Sequence, residues 1–525
     1  MSQSSPCPVV VGRRSVLKEC GDLLRDESSL IGGAVDRVYR PGSSEEVAAV
    51  VAMAAKEGAQ LTVSGARTGI AGGAVPGADE PGRLHWLLSL ERMDRILGWK
   101  LDADGGAPGV RVQAGVPLST LTQTVREEAG IETPPTGSRW MYPVDPTEWT
   151  ASVGGTIATN ASGARSYRYG PTAPWVRALT VVLADGTLLE VGRGEVQARD
   201  GRLLWPGAFG DRVLTVPNLP TPRVRCVAGY ALSPEVDLID LIVGSEGTLA
   251  VVVEAELALT SEPPGVLSLF SFLPPGGDGL ALTARIRSDP RLAPLAIEYL
   301  DGSALELLRR RELRLGSSHT PVPPDADSAL FVELPWNHEA EVFHLAEAME
   351  AQLRSEGGSL EFTWAGEDEM QARKMKALRH AVPEAVNERI SIHARTVPGL
   401  HKVGTDLAVP DEGAAEMNAI YRDRLRGSGM EYALFGHAAE NHLHANLIPS
   451  SAEELDRARA LHLELAREAV RLGGSVTAEH GIGRLKHDLV PIQYGEAGVA
   501  ALREVKRFFD PEGRLNPGVL FPVLS

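Results

Sequence analysis

Two short motifs hold the reactive side chains with the most suggestive spacing. The first is Gly436-His437-Ala438-Ala439-Glu440-Asn441-His442-Leu443-His444-Ala445-Asn446, and the second is Thr477-Ala478-Glu479-His480-Gly481-Ile482-Gly483. Imidazole nitrogens and a carboxylate are suitable ligands for Zn²⁺ or Mn²⁺. Residues two apart on a strand share a face, so His442 and His444 point the same way. A lone histidine is ordinarily a satisfied structural residue, but four in two motifs, with Glu and Gly beside them, point to a site. A divalent metal on a substrate hydroxyl lowers its pKa, and a neighbouring His can take the proton as hydride leaves the same carbon. An acidic substrate also needs a cation. Arg379, in Lys376-Ala377-Leu378-Arg379-His380, and Lys402 are the candidates.

The hydride needs an acceptor, and three glycine-rich segments could hold one. Val63-Ser64-Gly65-Ala66-Arg67-Thr68-Gly69-Ile70-Ala71-Gly72-Gly73 follows a strand directly. Its glycines let successive N–H groups face a pyrophosphate, and Ser64 and Thr68 add hydroxyl donors. It matches neither the dinucleotide G-x-G-x-x-G nor the Walker pattern. The uncharged run Ala151 to Gly163 can lie flat against a large planar ligand, and Gly244-Ser245-Glu246-Gly247-Thr248-Leu249 is the third segment. A flavin held by these loops would accept the hydride.

The elements that must position these groups fall into blocks. Residues 13–30 read as helical, with Leu17, Leu23 and Leu24 on one stripe. Val35 to Tyr39, a helix from Glu46 to Gly58 with Val47, Val50, Val51 and Ala54 at helical spacing, and Gln60 to Ser64 form a strand–helix–strand unit. The middle, about 105–260, holds short β runs at 110–112, 179–183 and 249–259. From about 266 the texture changes to amphipathic helices (338–355, 366–388, 452–472) alternating with strands (267–272, 329–333, 403–409, 431–435), a second α+β domain. A helix in 498–525 leads through Asp510-Pro511-Glu512-Gly513 to Asn516-Pro517-Gly518, which folds back on the first domain. The division is therefore a 1–34 helical extension, a 35–265 cofactor domain, a 266–497 cap, and a returning 498–525 segment.

A chain of 525 residues is too long for one ordinary core. Its formal charge of −17 argues against nonspecific nucleic-acid binding. The three cysteines, Cys7, Cys20 and Cys226, show no paired spacing, which fits a reducing, cytoplasmic setting. The longest apolar stretches are broken by charge, so no transmembrane helix is expected, although peripheral membrane association is compatible.

Taken together, these segments resemble the FAD-dependent D-2-hydroxyacid dehydrogenase family. That family includes the D-lactate and D-2-hydroxyglutarate dehydrogenases and the glycolate oxidase flavin subunit, flavoproteins of the vanillyl-alcohol-oxidase type. The resemblance runs from about 35 to 522. It rests on Arg40-Pro41 with Glu45-Glu46-Val47, the 63–76 loop, Gly154-Gly155 through Gly163, Arg168-Tyr169-Gly170, the 244–249 turn, Glu479 to Gly483, and Asp510-Pro511 to Asn516-Pro517-Gly518. It implies an α+β protein with a two-part FAD-binding domain and an α+β cap whose antiparallel sheet faces the flavin. FAD contacts are implied for Ser64, Gly65, Ala66, Arg67, Thr68, Gly69, Gly72 and Gly73. They are likewise implied for Gly154, Gly155, Thr159, Asn160, Ala161, Gly163, Tyr169, Gly170, Val243, Glu246, Gly247 and Asn516. By motif position His437, His444 and Glu479 resemble metal ligands, His480 the base, and Arg379 the carboxylate-binding arginine. The first loop lacks the histidine often seen with covalent flavin, so noncovalent FAD is expected.

Two departures stand out. Ala439-Glu440-Asn441-His442 replaces the usual Gly-Asp-Gly-Asn, which puts His442 where many members have Asn, and 190–225 is longer than usual. The implied reaction is oxidation of a D-2-hydroxy acid to the 2-oxo acid, with hydride to flavin N5. Electrons then pass to a cytochrome, quinone, electron-transfer flavoprotein or oxygen. Rival readings are a flavin-dependent transferase similar to alkylglycerone-phosphate synthase, a zinc hydrolase built on the histidines, and a noncatalytic flavin-binding subunit.

Overall fold

The helix that follows the strand Arg37–Tyr39 begins where Ser43 and Glu46 act on each other's turn. The Ser43 hydroxyl accepts from the Glu46 N–H at 3.3 Å, and the Glu46 carboxylate accepts from the Gly42 N–H at 2.7 Å. The helix, Ser44–Glu57, buries Val47, Val50, Val51 and Ala54. They pack against Leu61 and Trp86 of one sheet and Val182, Val251 and Val253 of another, so this helix joins the two halves of the first domain. The computed structural model describes residues 7–79, 82–100, 108–127, 139–205, 212–316, 322–366 and 368–522. Parts of the blocks named above, residues 1–6, 80–81, 101–107, 128–138, 206–211, 317–321, 367 and 523–525, lie outside these.

The first sheet has the order Val9–Val11, Arg37–Tyr39, His85–Ser89, Gln60–Ser64. The last three strands are parallel, and His85–Ser89 sits between the two that the helix connects. The second sheet is antiparallel, with the order Ile96–Lys100, Gly109–Gln113, Val251–Ala258, Val176–Val182, Leu188–Gly192. The chain later returns to the first sheet. Leu515 pairs with Leu61, and the Asp510 carboxylate shapes the approach by accepting from the Arg514 and Leu515 N–H groups at 3.0 and 2.7 Å.

The cap is an eight-stranded antiparallel sheet. Its order is Thr363–Gly366, Gly265–Leu273, Ser328–Trp336, Ala296–Asp301, Glu431–His437, His442–Ile448, Val403–Gly404, with Leu407–Ala408 also on His442–Ile448. Alternation gives it two buried faces. Phe270, Phe272, Leu300, Phe331 and Phe435 pack with Leu378, Val382 and Val386 of the helix Glu369–Ala394. Leu267, Leu269, Ile297 and Val332 pack with Leu282 and Ile286 of Gly279–Ser288 and Met349 and Leu353 of Glu341–Arg354.

Two elements differ from the sequence reading. The helix expected over 13–30 is Arg13–Cys20 followed by a single 3₁₀ turn, and Leu17 is 69% exposed while Val16 and Cys20 are buried. Leu23 and Leu24 of the expected stripe are buried in that turn, so Leu17 alone departs from it, with Val16 and Cys20 taking the buried positions of the helix. The strand expected over 403–409 is broken at Thr405-Asp406, where Asp406 turns toward the histidines. No helix among the described residues is long and apolar enough to cross a membrane.

Candidate active site

Strand register assembles the histidine cluster. Glu298, His437 and His442 stand opposite one another on three neighbouring strands, and opposed residues share a face. His444, two residues on, shares that face opposite Phe435. The strand crossing is close at Gly436, which has φ 145°, and a Cβ there would lie 2.7 Å from the His442 carbonyl oxygen. One ligand atom from each of His437, His442, His444 and Glu479 lies within 4.8 Å of the others, and Asp406, His444 and His480 form a second such group.

The second motif is a turn held by one buried carboxylate. Oδ2 of Asp406 accepts from the Thr477 hydroxyl at 2.5 Å, the His480 N–H at 2.9 Å and the Glu479 N–H at 3.2 Å. Oδ1 accepts from His442 Nε2 at 2.8 Å. The His480 ring stacks on His444 with centroids 5.3 Å apart, and its Nδ1 lies 3.3 Å from Asp406 Oδ2. Its side chain keeps 28% of its exposure, so one edge remains open.

The polar chain continues outward on both sides. Arg379 Nε donates to Glu298 Oε2 at 2.7 Å, and His437 Nδ1 donates to Glu298 Oε1. The Arg379 guanidinium carbon lies 5.4 Å from the centroid of the Phe435 ring. His437 Nε2 faces Glu479 Oε2 at 3.2 Å, while Glu479 Oε1 receives the Ser162 hydroxyl at 2.9 Å and the Arg225 guanidinium. Arg225 also pairs with Glu440 and bonds to Ser162. Glu479 thus keeps one oxygen for the histidines.

These contacts divide the histidines by charge. Burial opposes the charged form of His437, but Glu298 and Glu479 outweigh it and push its pKa up to about 10. Burial drives His480 down to about 4, Lys486 adding to this against the pull of Asp406. Burial and the neighbouring His442, His480 and His437 hold His444 well below the usual range. Asp406 and Glu479 stay ionised despite burial, Asp406 because of His480 and Lys486, Glu479 because of His437 and Arg225. The donor set suits a metal. Three imidazoles and a carboxylate oxygen converge, and His442 Nδ1 is buried with no hydrogen-bond partner.

The glycine-rich segments meet at the foot of the cap. The Ala66 and Gly155 N–H groups both reach Ser152 Oγ, at 3.4 and 3.3 Å. A Cβ on Gly65 would come within 2.5 Å of that oxygen. The Gly244 and Glu246 N–H groups donate to Ile157 and Ala158 carbonyls at 2.9 and 2.7 Å. Asn516 closes the ring by accepting from the Val63 N–H and donating to the Glu246 carbonyl, both at 2.7 Å. Tyr169, whose carbonyl accepts from the Trp175 indole at 2.8 Å, and Gly170 follow on the same connection. Ser64 Oγ is buried without a partner at the start of the first loop. Close backbone approaches and a spare hydroxyl fit a large phosphate-bearing cofactor.

Cap and loops are locked together. Glu246 accepts from the Ile482 and Gly483 N–H groups at 2.8 Å each, and the Arg484 N–H donates to the Ala71 carbonyl at 2.8 Å. Gly483 has φ 54°, and a Cβ there would lie 2.0 Å from that carbonyl oxygen, so only glycine fits. Ser162, in the second loop, bonds Glu479 directly.

Residues 35–192 match the family described as FAD binding domain, and 267–520 match FAD linked oxidases, C-terminal domain. A D-2-hydroxyglutarate dehydrogenase from Xanthomonas citri pv. viticola is 30% identical over 92% of this chain and 88% of its own length. The chain belongs to the FAD-linked oxidases. A D-lactate dehydrogenase from Anaerostipes hadrus is 29% identical (95% of this chain, 92% of that one). The glycolate oxidase subunit GlcD from Bacillus subtilis is 27% identical (93% and 89%). An alkyldihydroxyacetonephosphate synthase structure superposes with a TM-score of 0.59 over 92% of this chain and 76% of that one, at 16% identity, a likeness of fold.

In this FAD-linked oxidase the sequence reading missed Asp406, Glu298 and Arg225. Asp406 and Glu298 carry a signal, each being an acid amid mostly apolar neighbours, Asp406 between the short strands Val403–Gly404 and Leu407–Ala408 and Glu298 between Ile297 and Tyr299 in Ala296–Asp301. Arg225 lies at the end of the stretch singled out as long, where nothing local marks its direction. Lys402 is half-buried, and burial lowers its pKa. No ion pair among the described residues ties it to the cluster.

Proposed function

We propose that this FAD-linked oxidoreductase oxidises a D-2-hydroxy acid of the D-lactate, glycolate or D-2-hydroxyglutarate class to the 2-oxo acid. The observation that carries this reading is the bond from Ser162 in the second loop to Glu479 in the histidine cluster, which sets acid–base groups against the FAD loops. FAD, bound noncovalently by loops that lack histidine, supplies the hydride acceptor. A divalent ion, Zn²⁺ or Mn²⁺, on His437, His444 and Glu479 supplies Lewis acidity at the substrate hydroxyl.

The chain's own groups do the rest. Arg379, fixed through Nε by Glu298, turns its terminal nitrogens to the substrate carboxylate. Asp406 faces His480 Nδ1 and so favours the tautomer whose Nε2 carries the lone pair. His480, neutral through burial, takes the hydroxyl proton at Nε2 as the C2 hydride departs. The curated relatives' names support this substrate class, whereas the transferase reading has only a shared fold behind it. Three free cysteines support a reducing, cytoplasmic setting. Anaerobic titration with a panel of D- and L-2-hydroxy acids tests the proposal. Flavin absorbance should bleach with one or more D-acids, and a flavin that none of them reduces would refute it.

A further inference from the structure

His442 is fully buried on the same sheet face as His437 and His444. Its Nε2 points to Asp406 Oδ1 at 2.8 Å, and because a carboxylate only accepts, Nε2 carries the proton. The other nitrogen, Nδ1, is then a bare lone pair. It is buried and has no hydrogen-bond partner. Buried acceptors of this kind are nearly always satisfied, so its isolation needs an explanation.

The surroundings provide one. The His442 ring centroid lies 4.5 Å from that of His444 and 5.3 Å from that of His437. A ligand atom of His442 belongs to the group, with His437, His444 and Glu479, that lies within 4.8 Å. Its Nε2 is already committed to Asp406, so Nδ1 is the atom available to that group. A carboxylate on the far nitrogen is the usual support of a metal-bound imidazole, since it fixes the tautomer and raises the basicity of the near one.

We propose that His442 is a fourth protein ligand, binding through Nδ1 and making the donor set three imidazoles and one carboxylate. This rests on the metal reading of His437, His444 and Glu479. It has a consequence for the ion. Four protein donors complete a tetrahedron, so a hydroxy acid can reach the metal only if it accepts five or six ligands. That favours Mn²⁺, Fe²⁺ or Co²⁺ over a four-coordinate Zn²⁺ site.

The test uses FAD-loaded protein stripped of metal. Cu²⁺ bound to the wild type should show three nitrogen couplings by electron paramagnetic resonance, and His442→Asn should show two. Co²⁺ affinity, measured against a competing chelator, should fall at least ~10-fold in His442→Asn, because even loss of a supporting contact costs that much. Two nitrogens in the wild type, or unchanged Co²⁺ affinity and spectrum in the variant, would overturn the proposal and leave the three-ligand metal site standing. No binding of either ion at the cluster would overturn both. The wild-type nitrogen count decides the matter even if the variant does not fold.

Discussion

Replacing Asp406 by Asn should loosen the whole centre. The carboxylate is almost fully buried and accepts four hydrogen bonds, from His442 Nε2, the Thr477 hydroxyl, and the N–H groups of Glu479 and His480. Asn offers one accepting oxygen. If that oxygen keeps the two backbone N–H groups, its NH₂ faces His442 and forces the other tautomer, with a proton on the nitrogen turned to the cluster. If it keeps His442, two buried N–H donors lose their acceptor. Each bond to a charged group contributes about 1.5–3 kcal/mol, against about 0.5–1.5 kcal/mol for a neutral one. Four bonds weakened by about 1 kcal/mol each give about 4 kcal/mol, within the ~3–5 kcal/mol expected when one partner of a buried ionic group is removed. Lys486, 3.8 Å away, would also lose its counter-charge.

The sign of the pH dependence follows. Despite burial, His480 and Lys486 hold the Asp406 pKa well below 3.8, so its contribution is full above that value and is lost as pH falls further. Urea unfolding at pH 7 should show a destabilisation of about 3–5 kcal/mol, shrinking below about pH 4 as the wild type also becomes protonated. Chelator competition should show metal binding about 10–100-fold weaker. A variant within about 1 kcal/mol of wild type, with unchanged metal affinity, would show that Asp406 does not organise the turn.

His480→Asn should slow anaerobic flavin reduction about 10²–10⁴-fold while FAD and metal contents stay near wild type, and residual activity should rise with pH. Near-normal reduction would remove His480 from the chemistry. Chelation should abolish flavin reduction by substrate and leave the bound-flavin spectrum nearly intact, because the ligands stand in the cap; metal-free protein that turns over normally would exclude the metal. Acid precipitation should release the yellow colour to the supernatant, whereas colour in the pellet would mean a covalent flavin.

The sequence made the two motifs legible because alternation and glycine spacing are local properties. His442 and His444 are two apart on a real strand, and Ser64 to Gly73 does follow one. What stayed hidden is set by register between strands far apart in sequence. Nothing local places Glu298 opposite His437, 139 residues away. Asp406 lay inside a segment read as one strand, although its purpose breaks that strand. Leu17 shows the opposite error: Leu23 and Leu24 of its stripe are buried as read, but the short helix turns Val16 and Cys20 inward and leaves Leu17 outside.

The link from Asn516 to Val63 spans 453 positions. During translation the first glycine loop leaves the ribosome long before its last partner is made. Both halves of the first domain can collapse around Trp86 and Val251 once residue 260 has emerged, but the ring around the nucleotide loops stays open until residue 516 arrives. Closure of that ring is therefore a late event in synthesis. A chain ending just upstream would hold nearly all of the core and lack the Asn516 side chain that ties the first loop to the third.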